Sequence, residues 1–357
     1  MFAVIWIFLL GMRECFNIFN LPTEFFTIAI TSMQFLNLLF LLKKTRWKLT
    51  IYHIVLFVLI LLIFVNTDTV ATVNIIFAVI LLKNENLKKI CLTVCAAYLI
   101  NIIIILFGYS YGILQDSITV YQKGITHTLG FQNSNTPGLY AMQCSLVFAT
   151  TWLLFSDFKL VLLFLIVPNY LIFKYTLGRT SFLCICLFLL FVFYFSMNRK
   201  YMFTRKYSFL VPFFFFILIF FVAFSIKFMP PLYAVGNAIF TGRPRMIYKI
   251  LSKMNPANFL LGYKNIGMPM DCAYLGILVN GGIFSLFLFF SCCYKGLKNI
   301  PLNMAKRMLP FIFVILISGV TEGTFSLFRL STIVFYKVLI DRFDFNYIKS
   351  KYFFKVR

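Results

Sequence analysis

Three arginines are the residues of this chain best suited to chemistry: Arg179 in LGRTS, and Arg243 and Arg245 in TGRPRMIYKIL. A guanidinium presents a planar fork of donors that matches phosphate oxygens. Pro244 suits the first helical position, where no amide hydrogen bond is needed. Met246, Ile247, Ile250 and Leu251 then share one face, so TGRPRMIYKILSKMN reads as a short amphipathic helix. Free amides and the positive dipole end at its start attract anions. Two guanidiniums beside them make a phosphate or pyrophosphate site. The competing role for these arginines is lipid-headgroup anchoring.

Asp271, in GMPMDCAYLGILVNGGI, is the only acid from Ser225 to Asp271 and stands at the mouth of an apolar run. Such a carboxylate can take a proton from a hydroxyl, or serve as an interfacial charge or an ion-pair partner for an arginine. Glu322, in GVTEGTF, can neutralise an arginine or act as a second acid. His127 can bind a diphosphate or a sugar, or simply be solvated. Asn133 and Asn135 can bond sugar hydroxyls, and suit equally the turn and N-cap ahead of Pro137, with the cap favoured for Asn135. Gly281 and Gly282 fall near the middle of the next apolar run and read as close helix packing.

The elements that must position these residues are membrane helices. The chain is 62% apolar and 12% charged, whereas soluble domains run at roughly 45–50% and 25%. A water-soluble core cannot absorb that much Phe, Leu and Ile. The expected fold is therefore all-α, a single transmembrane domain over residues 1–357. A span needs about 20 apolar residues, or fewer with local thinning. Candidate spans cover 1–19, 25–42, 50–65, 69–82, 90–107, 137–155, 159–174, 181–196, 208–224, 273–293, 308–321 and 325–340.

The net charge of +23 does not point to nucleic acid. Basic residues gather in short clusters between apolar runs, as the positive-inside rule requires, and no nucleic-acid motif accompanies them. With the N-terminus in the cytoplasm, 22 of the 33 basic residues fall inside, which places both termini there. Three outward segments remain: 108–136, 174–180 and 225–271. The longest carries Phe, Met, Ile and Tyr at helical spacing and little Ser or Glu, which argues against disorder.

Residues 1–11 lack a basic stretch and a cleavage site, and read as an uncleaved first span. Seven of the nine cysteines lie in apolar runs and behave as small apolar residues; Cys15 and Cys272 are placed where they can face outward. No internal repeat of the transporter kind is visible. There is no P-loop, GxSxG, HExxH or outer DxD-type acidic pair.

In order and spacing, LGFQNSNTPGLYA (129–141), LGRTS (177–181), TGRPRMIYKIL (241–251) and LLGYKNIGMPMDCAYLGILVNGGI (260–283) resemble the bacterial Wzy-type polysaccharide polymerases, relatives of the O-antigen ligases. The resemblance covers nearly the whole chain. It implies an enzyme that transfers a growing glycan from undecaprenyl diphosphate onto a new lipid-linked repeat unit. Arg179 and Arg243, helped by Arg245, would hold the diphosphate, and Asp271, where related ligases often carry His, would take the proton. His127, Asn133, Tyr274 and Glu322 would contact substrate. Inversion at the anomeric carbon, no cofactor and no metal are implied. The lipid-linked glycan as donor and acceptor, the bilayer, a flippase and a chain-length regulator would be the partners. A ligase shares this chemistry; a lipid-linked oligosaccharide flippase is the rival from another class.

Overall fold

Apolar runs in hydrocarbon must satisfy every backbone N–H and C=O internally, and the helix does this within one segment. The computed structural model describes residues 2–45, 70–82, 85–121, 124–197, 207–240, 242–264, 271–327 and 329–341. The expected span over 50–65, the basic cluster at 199–206 and the tail beyond Asp341 lie outside these residues.

The described chain is almost entirely helical. Five apolar helices are long enough to cross a membrane: α4 (Leu87–Ser110), α5 (Asn135–Phe155), α7 (Arg179–Met197), the run Ser208–Lys227 containing α8 (Val211–Phe224), and α12 (Ala273–Asn299). Shorter apolar helices lie within α2 (Glu24–Thr45), α3 (Val70–Leu82), the run Leu160–Thr176 ending in α6 (Ile166–Thr176), and α14 (Leu330–Ile340). With α1 (Phe2–Ile18) and α13 (Leu302–Ser318) they make a membrane-embedded bundle. Its centre is aromatic: Tyr274, Phe289, Phe325 and Phe335 interlock, with Phe289 stacked on Phe325 at 4.9 Å.

Charged side chains tie the bundle together at one end. Lys337 on α14 is fully buried and donates to the last carbonyl of α3, Leu82 O, at 2.9 Å, while Asp341 Oδ1 lies 3.1 Å from its Nζ. Arg307 on α13 pairs with Asp157 beyond α5 at 2.8 Å and donates to Leu154 O. Cations on helix C-termini satisfy orphan carbonyls and complement the dipole. The starts of α5, α7, α12 and α14 and the ends of α1, α4, α6 and α13 therefore lie at the opposite end.

Two of the three segments expected to face outward contain regular structure. Within 108–136, β1 (Ile118–Tyr121) and β2 (Gly124–His127) form an antiparallel hairpin, pairing Ile118 with His127 and Val120 with Ile125. The β-branched residues of ITV and IT favour strands. Within 225–271 there are three short helices: α9 (Pro230–Ile239), α10 (Arg243–Leu251) and α11 (Pro256–Leu261). Gly242, in the left-handed region, precedes α10, so Arg243 is its first residue and Pro244 its second. Ile247, Ile250 and Leu251 are buried on the bundle.

The third helix reaches into the span. Gly282, ten residues into α12 and about 13 Å along it, adopts φ 64° and ψ −170° and breaks the helix. A Cβ there would collide with the backbone of Leu260 and Leu261 in α11. The break leaves Val279 O without its helical donor, and the Tyr263 amide supplies one at 2.7 Å. Gly281 and Gly282 thus do permit close packing, but in part against α11 rather than another span alone. Gly282→Ala should lower the thermal midpoint in detergent, by about 1–3 kcal/mol of stability from the disallowed backbone region. An unchanged midpoint would mean that α11 does not dock there.

Candidate functional site

Arg243 is the centre of the site. Its Nη2 lies 3.3 Å from Asp271 Oδ2 and 3.7 Å from Glu322 Oε1, and its Nε donates to Thr321 O at 3.1 Å. Three chain segments meet to build this arrangement. The first residue of α10 brings the arginine, and the residues just ahead of α12 bring Asp271. The connection from α13 to α14 brings Thr321 and Glu322.

Close backbone approach fixes the last two. The Ala273 amide donates to Gly319 O at 2.8 Å, and a Cβ on Gly276 would lie 2.5 Å from Ser326 Oγ. The first turn of α12 is therefore pressed against the α13–α14 connection. The two carboxylates are unequal. Asp271 is 44% exposed, Glu322 and Arg243 each 13%. Burial pushes the Glu322 carboxyl up to about 7; the Asp271 charge adds to the rise, and Arg243 and Arg329 oppose it.

A second charged group adjoins the first. Glu14, near the end of α1, accepts from the Leu330 amide at 2.6 Å, at the start of α14. The Tyr98 hydroxyl accepts from the next amide, Ser331, at 3.1 Å. Arg13 and Arg329 both act electrostatically on Glu14, and Arg329 acts also on Glu322. Arg329 thus links the two groups.

The other residues singled out in the sequence are distributed around this core. Arg245 is exposed, and its amide donates to Asn237 Oδ1. Arg179 begins α7 and is exposed, with no ion pair to the Arg243 cluster among the described residues. His127 Nδ1 donates to Asp116 Oδ2 at 2.6 Å, and its ring meets Tyr175 edge-on. Burial works against the Asp116 charge, but the bonds from His127 and the Leu129 amide outweigh it and hold the carboxyl below its ordinary value.

Asn133, not Asn135, caps α5: its Oδ1 accepts from the amides of Asn135 and Thr136 and from Thr136 Oγ1. Tyr274 is fully buried, with its hydroxyl donating to Leu316 O at 3.2 Å, so it contributes to the core and not to the charged cluster. Cys15 and Cys272 are buried free thiols rather than outward-facing ones.

Because the folded value for Glu322 exceeds its ordinary 4.5, the folded chain holds a proton the unfolded chain releases. The folded state is therefore favoured most below pH 4.5, and that advantage is lost as pH rises to about 7. Relative to Glu322→Gln, the natural chain should lose roughly 3 kcal/mol across this window, read as the pH dependence of the difference in thermal midpoints. A constant difference would place Glu322 in an ordinary solvated setting. No known family, curated protein or solved structure matches this chain.

Proposed function

We propose that the chain is a membrane glycosyltransferase that polymerises undecaprenyl-diphosphate-linked repeat units at the outer face of the bacterial cytoplasmic membrane. The observation that carries this reading is Arg243, held at the bundle end between a half-exposed carboxylate, a nearly buried one and a backbone carbonyl. The proposal includes twelve spans with both termini in the cytoplasm. Lys88, Lys89, Lys159, Arg307 and Lys337 at the end opposite the site accord with that orientation.

On this reading the diphosphate of the donor takes over the exposed side of the Arg243 guanidinium. Asp271 is released from its ion pair and faces the incoming hydroxyl. The acceptor oxygen forms its bond to the anomeric carbon as the bond to the diphosphate oxygen breaks, and the bonding pair leaves with the diphosphate. Asp271 takes the hydroxyl proton. Arg243, with Arg179 and Arg245 as outer contacts, stabilises the growing negative charge on the leaving group, commonly a large contribution to rate. His127 and Asn133 would line the approach of the sugars.

One feature favours the flippase reading instead. Around the break in α12, the buried side-chain oxygens Asn280 Oδ1 and Ser285 Oγ have no hydrogen-bond partner among the described residues, while Thr72 donates to the backbone oxygen of Asn280 at 3.1 Å. Polar groups at that depth mark transport paths in many membrane proteins. The two readings part in a polysaccharide-producing host. Loss of a polymerase leaves single lipid-linked repeat units outside the membrane, whereas loss of a flippase traps them inside.

Arg243→Ala should reduce polymer formation by about 100- to 1,000-fold, at unchanged protein abundance, with single repeat units exposed on the outer face. Asp271→Asn should give the same gel phenotype. Polymer at the natural level in the Arg243→Ala strain would remove the diphosphate assignment.

A further inference from the structure

The β-hairpin carries an apolar face turned away from the protein. Val120 is 76% exposed and its cross-strand partner Ile125 58%. Ile118, two residues before Val120 and so on the same face, is 62% exposed. A polar outer loop in water gains nothing from such a row, and contiguous exposed apolar surface marks an interaction site.

The occupant follows from what the row continues. On α4, Leu99, Ile103 and Phe107 are exposed at helical spacing, which is the lipid-facing stripe of an apolar span. The chain carries that stripe onward through Tyr111 and Ile113, both strongly exposed, and then into the hairpin. A tyrosine at that position suits the boundary between headgroups and acyl chains. Charge agrees. Asp116 is the only acid in 108–136, and its oxygens are taken up by His127 and the Leu129 amide. The hairpin therefore offers little negative charge to an anionic lipid surface.

We propose that this hairpin lies in the bilayer interface, with Ile118, Val120 and Ile125 inserted at the headgroup–acyl boundary. It acts as a lipid-seated platform that holds His127, and the α6 end on which His127 rests through Tyr175, at headgroup height. This inference needs only the membrane and is independent of the reaction proposed above.

The full-length V120W chain, reconstituted in phosphatidylethanolamine/phosphatidylglycerol vesicles, tests it. Difference spectra against the natural chain isolate the added indole from Trp6, Trp47 and Trp152. An indole about 5–10 Å into the interface should emit to the blue and lose roughly twofold or more of its intensity to lipids brominated near the headgroup. Aqueous iodide should scarcely touch it, whereas T119W, on the other face, should show the reverse preference. Strong iodide quenching of V120W without a bromolipid effect would place the face in water and overturn the proposal. A V120W signal quenched by neither would place it against protein, such as a second copy of this chain, and would overturn it equally.

Discussion

Hydrocarbon removes water as a hydrogen-bonding partner, so every interruption of a helix inside the bundle has to be repaired by another part of the chain. The repairs are visible one by one. Val279 O, freed by the Gly282 break, is satisfied by the Tyr263 amide just after α11. The first amides of α14 are satisfied by Glu14 and Tyr98, and the last carbonyl of α3 by Lys337. Each repair ties together segments far apart in sequence, so the same constraint that limits the backbone also sets the tertiary arrangement.

The site is a product of these ties. Arg243 and Asp271 bracket the segment 243–271, and the middle of that segment is anchored where α11 rests on Gly282. Glu322 and Thr321 are carried by the α13–α14 connection, whose far end is held by Glu14 from α1. An arginine near the membrane edge is tolerable because its charge is matched at once by carboxylates. A buried or half-buried cation with one partner removed costs several kcal/mol, which makes the cluster interdependent.

What could be read from the sequence was local. Pro244 and the apolar spacing after it marked a helix start, and the helix begins at Arg243. Asp271 as an ion-pair partner for an arginine was one of its three open roles, and the geometry has that pair. What could not be read was long-range. Glu14 meets Leu330 across 316 residues, and nothing local predicts that contact. A signal for it existed nonetheless, since Arg13 and Glu14 are adjacent charges within an apolar run, and such charges inside a span seldom lack a role. Tyr274 illustrates the opposite failure. A motif position next to Asp271 suggested substrate contact, but the first turn of α12 rotates the ring into the aromatic core.

The inequality of the two carboxylates gives the cluster a further property. Asp271 is half exposed, whereas burial pushes the Glu322 carboxyl up to about 7. On the proposed reaction, a diphosphate arriving beside Arg243 adds negative charge next to Glu322 and raises its proton affinity further. Proton uptake by Glu322 then offsets part of the incoming charge, so the guanidinium can exchange Asp271 for phosphate without leaving an unpaired anion in a poorly solvated place. As the leaving group carries its charge away, the proton is released again. A single fixed ion pair cannot adjust in this way; a guanidinium shared between one exposed and one titrating carboxylate can.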